Sequence, residues 1–308
     1  MRTLVTGGAG FIGSHIVEEL LRDGHSVRVL DDFSSGRREN LESLPGKPEV
    51  LEGDLRDTTI VKAAVRDVEV VFHLAAFISV PKSMADPETC FTTNVEGTVN
   101  LLEAARQAGT RKVVLSSSAA VYGKTSIFPT TEEAALQPLS PYAVSKQVNE
   151  LYASFYTQIM GLPVIALRYF NVYGPRQRPD SDYAAVIPTF VRRLVAGEPI
   201  TIYGDGKQNR DYIFVKDVVR ANLLAAEAEV AGEVFNICTG TETSLLDLLE
   251  ELSELSPNRP QVRFDVPRPG DIYRSAGCPE KATRLLGFKA EATLTNGLRQ
   301  TVEWMKSK

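Results

Sequence analysis

Tyr142 and Lys146 stand four residues apart in Ser140-Pro141-Tyr142-Ala143-Val144-Ser145-Lys146, a spacing that puts both side chains on one face of a helix. Pro141 suits a first helical position and Ser140 the cap before it, so the stretch is predicted to open a helix. A free phenol has a pKa near ~10, which leaves about 0.1% ionised at neutral pH. Bringing it to about 7 requires roughly 4 kcal/mol, at ~1.4 kcal/mol per unit. An ammonium about 4 Å away, at an effective dielectric near 20, supplies that much. The pair is therefore a candidate general acid/base for moving the proton of a hydroxyl. Tyr and Lys also meet at this spacing by chance, so the elements around them must decide.

Those elements begin at the N-terminus. Residues 2–6 read as a buried strand, followed by Gly7-Gly8-Ala9-Gly10-Phe11-Ile12-Gly13 and a helix with Ile16, Val17, Leu20 and Leu21 on one face, ended by Gly24. Strand, glycine turn and helix frame Gly8-x-Gly10-x-x-Gly13, the fingerprint of a dinucleotide site. The glycines let a pyrophosphate approach the backbone, and the helix N-terminus offers N–H groups and a positive dipole end. The next strand, 26–30, ends at Asp31 with Asp32 after it. A carboxylate there suits an adenosine ribose and repels a 2′-phosphate, which favours NAD over NADP. Arg37 and Arg38 follow closely and count against that preference.

The βα rhythm continues. A strand at 49–52 leads to Gly53-Asp54-Leu55 and a helix over 58–66, and a strand at 70–73 leads to Leu74-Ala75-Ala76. A long helix is predicted over 88–108, then strands at 112–115 and 164–167 flanking the Tyr142 helix. The pattern predicts an α/β protein with a Rossmann-type doubly wound parallel sheet, ligands gathering at the carboxyl ends of its strands. The glycine turn, Asp31, Asp54 and serines 116–118 all fall at such ends. After residue 174 the rhythm loosens. Helices are expected over 216–228 and 244–255, with the rest of 240–308 in turns. We expect residues 1–170, joined by roughly 207–235, to form the NAD-binding domain. Residues 171–206 and 236–308 would form a smaller α/β substrate lobe.

The 308 residues can bury a large core, and 43% hydrophobic with 24% charged residues is ordinary for a globular chain. A net charge of −5 gives no basic field, so nucleic acid is not the expected partner. Three scattered cysteines and three histidines, with no CxxC, argue against a metal site and for reduced thiols in the cytoplasm. Neither a signal-peptide pattern nor a run of ~20 apolar residues is present, so no membrane association is expected.

Thr6-Gly7-Gly8-Ala9-Gly10-Phe11-Ile12-Gly13-Ser14-His15, Asp54-Leu55, His73-Leu74-Ala75-Ala76, Ser116-Ser117-Ser118 and Tyr142-x-x-x-Lys146 occur in that order. Together they resemble the extended short-chain dehydrogenase/reductases, and within them the UDP-hexose 4-epimerases, from the first strand to about residue 290. The resemblance implies that Ser118 hydrogen-bonds the reacting sugar oxygen and that Tyr142 transfers the proton. Lys146 would bind the nicotinamide ribose and depress the phenol. It implies NAD contacts at Gly7, Gly10, Phe11, Ile12, Gly13, Asp31, Asp54, Leu55, Ala75 and Lys146. On the substrate side it implies Ser118, Tyr142, Asn171, Val186 and Tyr203, the diphosphate arginines Arg210 and Arg268, and Asp271. Ser275 would be a small gate beside the sugar C2, with Arg274 its neighbour should the register differ by one. Ser116 and Ser117 are expected to serve packing and strand-end hydrogen bonds, and His73 to be a lining or core residue.

The implied reaction removes a proton and a hydride at C4, lets the 4-keto sugar present its other face, and returns both. UDP-glucose/UDP-galactose and UDP-GlcNAc/UDP-GalNAc are the expected substrates, in a homodimer joined through the helices at 88–108 and 141–160. Sugar-nucleotide 4,6-dehydratases share the Tyr-Lys pair but carry Asp-Glu just after the hydroxyl residue. Here those positions are Ala119 and Ala120. Ala120 also departs from the UDP-glucuronate decarboxylases, which place a Glu there. A keto-sugar epimerase-reductase would want a Cys near Ser118 and NADPH. UDP-glucuronate stays open as a substrate, since Arg176 or Arg178 could pair with its carboxylate. A non-catalytic NAD sensor would be expected to have lost Tyr142 or Lys146.

Overall fold

Apolar runs such as Val113-Val114-Leu115, with every member buried, have no polar face to show to water, so their strand must be covered on both sides. The computed structural model describes residues 1–179, 185–256, 260–267 and 272–308. The chain opens with β1 (Arg2–Thr6), α1 (Phe11–Arg22), β2 (Ser26–Asp31), α2 (Glu39–Glu42), β3 (Glu49–Glu52), α3 (Thr58–Ala64) and β4 (Val70–His73). It continues through α4 (Val80–Ala85), α5 (Pro87–Phe91), α6 (Gly97–Gln107), β5 (Lys112–Ser118), α7 (Pro141–Gln158) and β6 (Val164–Tyr169). Next come β7 (Asn171–Tyr173), α8 (Val186–Ala196), β8 (Ile200–Tyr203), β9 (Asn209–Arg210), β10 (Tyr212–Phe214) and α9 (Val215–Glu227). The last elements are β11 (Val234–Ile237), β12 (Thr243–Ser244), α10 (Leu245–Glu254), β13 (Val262–Asp265), β14 (Arg274–Ser275), α11 (Glu280–Leu286) and α12 (Leu294–Lys306).

Seven strands form one parallel sheet in the order β11-β6-β5-β4-β1-β2-β3. The winding reverses between β1 and β4. This is the Rossmann-type doubly wound sheet, and its binding crevice lies beyond the carboxyl ends of those two strands. One face is covered around Val5, Ile16, Phe72, Val218 and Phe235, the other around Leu4, Val71, Leu101, Leu115 and Ala153. A smaller core around Tyr173, Phe190, Ile202, Phe214, Leu248 and Leu298 gathers α8, α10 and α12.

The structure departs from the sequence reading in four places. The predicted helix over 88–108 is α5 and α6 joined by one π turn, Thr92–Glu96. Strand β5 runs on to Ser118, carrying all three serines inside the sheet. β11 is an edge strand of the main sheet, beside β6, where the sequence reading placed no strand. The described residues of 240–308 hold three helices where one was expected. After Leu294, α12 opens on Thr295-Asn296-Gly297, poor helix formers that hide it from propensity. Its buried Leu298, Thr301 and Val302 supply the stability that propensity does not.

Gly297 lets α12 lie directly on two aromatic rings. A β-carbon there would sit 2.2 Å from the Tyr173 hydroxyl oxygen and 2.9 Å from the Phe214 ring. Exchanging Gly for Ala inside a helix gains about 1 kcal/mol, whereas overpacking a core costs about 1–3 kcal/mol. Gly297→Ala is thus expected to lower the melting temperature by about 2–4 °C. A thermal melt with an unchanged or raised midpoint would show that α12 can shift away.

Candidate active site

Helix α7 starts where the sequence places it, with the Ser140 side chain accepting from Ala143 N at 3.2 Å and Pro141 in the first turn. The helix packs on β5 and brings Tyr142 and Lys146 to that strand's carboxyl end. Lys146 Nζ donates to the Ser116 carbonyl at 2.9 Å, lies 3.4 Å from Ser116 Oγ, and stands 5.9 Å from the centre of the Tyr142 ring. Ser118 closes the strand, its Oγ accepting from Ala120 N at 3.2 Å.

Burial pushes Lys146 down to about 8, while Cys90 on α5 and, to a smaller degree, the Glu150 carboxylate one turn further along α7 work against that shift. Burial also raises the Tyr142 phenol above its ordinary value, and the neighbouring Ser118 hydroxyl pulls it back. This corrects the expectation of a depressed phenol. Lys146 Nζ is held at the Ser116 carbonyl, 5.9 Å from the ring centre, and burial is the largest influence on the phenol.

Opposite this cluster, the glycine turn fits a dinucleotide pyrophosphate. A β-carbon on Gly13 would lie 2.1 Å from the Gly7 carbonyl oxygen, and one on Gly7, at φ +68°, would lie 2.7 Å from Ala75 N. Phe11, Ile12 and Gly13 form the first turn of α1, where N–H groups lack helical partners, and Gly10 at the cap has no side chain to occupy them. Asp31 is buried and braces the turn, Oδ2 accepting from Ala9 N at 2.8 Å and Oδ1 from Phe33 N at 2.9 Å. Each oxygen keeps a lone pair for a ribose hydroxyl. Arg38, which counted against NAD, stacks 4.0 Å from the Phe33 ring centre and binds Glu52. Asp54 ends up clasped by Arg56, which holds its carboxyl below the usual range. Leu55 is buried, with the Asn100 side chain donating to its carbonyl at 3.2 Å.

A buried polar chain that the sequence reading missed joins this bed to α7. Ala75 N donates to Thr6 Oγ1 at 3.3 Å, and Thr6 Oγ1 meets His73 Nδ1 at 2.7 Å. His73 Nε2 meets Thr98 Oγ1 at 2.9 Å, and that hydroxyl donates to the Asn94 carbonyl at 2.5 Å. With its proton committed to Asn94, Thr98 accepts from His73, which fixes the Nε2–H tautomer. Burial pushes His73 down to about 3, so it stays neutral and cannot act as an acid. Asn94, in the π turn, bonds both backbone groups of Phe77 and donates to Ser145 Oγ on α7 at 2.9 Å. Its only sequence signal is an amide on a buried helical face.

On the substrate side, β14 pairs with β9 so that Ser275 lies directly beside Arg210. Arg274 points elsewhere, bound to Glu242 and 4.4 Å from the Phe128 ring centre. Asn171 donates to the Asp211 carbonyl at 3.1 Å. The buried Asp211 carboxylate accepts from Thr239 and Gly240, tying β9 and β10 to the segment after β11. Val186 opens α8 and Tyr203 ends β8. Arg268 and Asp271 lie outside the described residues. Arg176, a candidate carboxylate partner, binds Glu18 at 2.6 Å and lies 3.4 Å from Ser14 Oγ, on α1.

The depressed Lys146 has a consequence for stability. Between about 8 and its ordinary 10.5 the unfolded chain binds this proton more tightly than the native one. The penalty is about 3 kcal/mol, fully present below pH 8 and relieved as pH rises to 10.5. Lys146→Met is expected to raise stability at pH 7, with the gain over the native chain shrinking toward pH 10.5. Chemical denaturation at the two pH values checks it, and a loss at pH 7 would refute it.

The comparisons agree with this geometry. Residues 3–238 match the model of the NAD dependent epimerase/dehydratase family. The chain is 44% identical to the UDP-glucose 4-epimerase of Mycolicibacterium smegmatis, over 100% of this chain and 99% of that protein. Among solved structures it resembles the UDP-N-acetylglucosamine 4-epimerase of Methanobrevibacter ruminantium in complex with UDP-N-acetylmuramic acid, with TM-score 0.95, 39% identity and 99% and 98% of the two chains covered. It also resembles the Thermus thermophilus UDP-glucose 4-epimerase complex with NAD, with TM-score 0.90, 41% identity and 99% of each chain covered. A glycine bed at the sheet's switch point, facing a Ser-Tyr-Lys cluster at the end of β5, thus places this chain in the NAD-dependent epimerase/dehydratase family of extended short-chain dehydrogenase/reductases.

Proposed function

We propose that this protein inverts C4 of UDP-hexoses, interconverting UDP-glucose with UDP-galactose and UDP-GlcNAc with UDP-GalNAc. The observation that carries the reading is the end of β5. There Ser118 and Tyr142 meet, and the turn after them offers Ala119 and Ala120, methyl groups that can neither give nor take a proton for eliminating water. Bound NAD would supply the hydride acceptor and return the hydride. The Ser118 hydroxyl holds the sugar oxygen while Tyr142, acting from the phenolate form that the Lys146 charge favours, takes the C4 hydroxyl proton and becomes the neutral phenol. Once the 4-keto sugar has turned about its diphosphate link, Tyr142 gives the proton back to the other face. Arg210 would hold the diphosphate, and the remote binding it supplies keeps the mobile ketone in the site. Ser275 beside it leaves room for a C2 acetamido group. The engagement of Arg176 by Glu18 favours neutral sugars over a uronic acid.

NMR analysis of products, with purified protein and no added cofactor, tests this. UDP-galactose and UDP-GalNAc should each convert to the gluco epimer. Conversion of UDP-galactose alone would discard the Ser275 argument, and conversion of neither, even after NAD is added, would overturn the reading. Tyr142→Phe should lower kcat by roughly 10²–10⁴-fold while NAD stays bound.

We also propose a homodimer in the cytoplasm. Val144, Leu151, Phe155 and Ile159 line one exposed side of α7, with Leu151 64% and Ile159 71% accessible. α4 and α5 pack on the same helix and add exposed Met84 and Phe91. A contiguous apolar patch of this kind marks an interface. Cys90, Cys238 and Cys278 are free and buried, as suits a reducing compartment, and no helix among the described residues is long and apolar enough to cross a membrane. Light scattering should give about twice the 33.8 kDa chain mass. Leu151→Glu combined with Ile159→Lys should give monomers, and a double variant that stays dimeric would move the interface elsewhere.

A further inference from the structure

Glu150 follows Tyr142 and Lys146 at the next four-residue step along α7. Its side chain is 6% exposed, and that of its partner Arg168, on β6, is 5% exposed. Arg168 Nε donates to Glu150 Oε1 at 2.9 Å and Nη2 to Oε2 at 2.7 Å, while Ser117 Oγ donates to the same Oε1 at 2.5 Å. Arg168 Nη1 reaches the Tyr122 hydroxyl at 2.7 Å, and that hydroxyl donates to Asn236 Oδ1 on β11 at 2.6 Å. A buried ion pair gains little stability over apolar packing of the same volume, so its place here needs another reason. Consecutive residues of β5 divide the work along α7: Ser116 receives Lys146, Ser117 holds Glu150, and Ser118 faces Tyr142.

We propose that Glu150, clamped by Arg168 and Ser117, is a positioning residue. It fixes the depth and rotation of α7 against the end of β5 and supplies the negative charge facing the Lys146 ammonium. The groups around that ammonium are His73 on β4, Cys90 on α5, Tyr142 and Glu150 on α7, and Arg168 on β6 behind Glu150. His73 is neutral, and burial keeps the Cys90 thiol protonated. Among the described residues, Glu150 is the carboxylate of this set, and it works with Cys90, the larger influence, to keep Lys146 charged.

The inference rests on the epimerase reading for its assay. Glu150→Gln keeps the shape and removes the charge. It should move the alkaline limb of the kcat profile to lower pH by about one unit and lower kcat at pH 8 by about fivefold, with little change in KM. Glu150→Asp, which retains the charge, should bring the limb back toward the native position. The double variant Glu150→Met, Arg168→Met should regain the native melting temperature yet keep the shifted limb. If the double variant recovers native kcat and limb, or if Glu150→Gln lowers only the melting temperature, the pair is structural and the proposal is overturned. Should the native protein turn over neither sugar, the functional reading has failed. The inference is then decided by NMR titration of Lys146 in lysine-labelled protein, identified by its absence in Lys146→Met. A titration moved to lower pH in Glu150→Gln supports it, and an unmoved one overturns it.

Discussion

The Lys146 ammonium donates to the Ser116 carbonyl at 2.9 Å in a setting that excludes water, and the surrounding structure supplies what that contact requires. A cation so buried needs an acceptor aimed at it, a counter-charge and a rigid helix to hold it there. The parallel sheet provides the first, because the carboxyl end of a strand presents carbonyl groups that have run out of strand partners. Glu150 provides the second. The third is α7, anchored at its start by the Ser140 cap and pressed along its length against β5 and β6.

The other half of the site is made of backbone. Glycines remove the side chains that would fill the pyrophosphate bed, and close approach to Ala75 fixes the turn against the neighbouring strand. The chain of hydrogen bonds through Thr6, His73, Thr98 and Asn94 to Ser145 spans the distance between the glycine turn and α7. Dipoles held this firmly do not have to reorganise when charge moves, which is where much of an enzyme's electrostatic advantage lies.

Much of this was legible in the sequence because the signals were local. Apolar runs separated by amphipathic stretches announced a covered parallel sheet, and a glycine spacing between strand and helix announced its switch point. Tyr142 and Lys146 declared themselves by a four-residue step. What escaped depended on partners distant in sequence or on direction in space. The Arg176 guanidinium reads as available until Glu18, 158 residues away, takes it. The state of the Tyr142 phenol turned on its burial, and spacing carries no such information. Asn94 gained its reach from a π turn, which shifts the helical phase that pattern reading assumes.

Asp31 carries a further consequence. The carboxylate that would face the cofactor ribose also closes the glycine turn on both sides, through Ala9 and Phe33. Discrimination between cofactors and integrity of the bed are therefore written into the same two oxygen atoms. A lineage drifting toward a phosphorylated dinucleotide could not arrive by exchanging this residue alone, because the intermediate would lose its turn before gaining a new preference. The neighbouring backbone would have to find other acceptors first. Cofactor choice in this protein is thus guarded by foldability as much as by affinity.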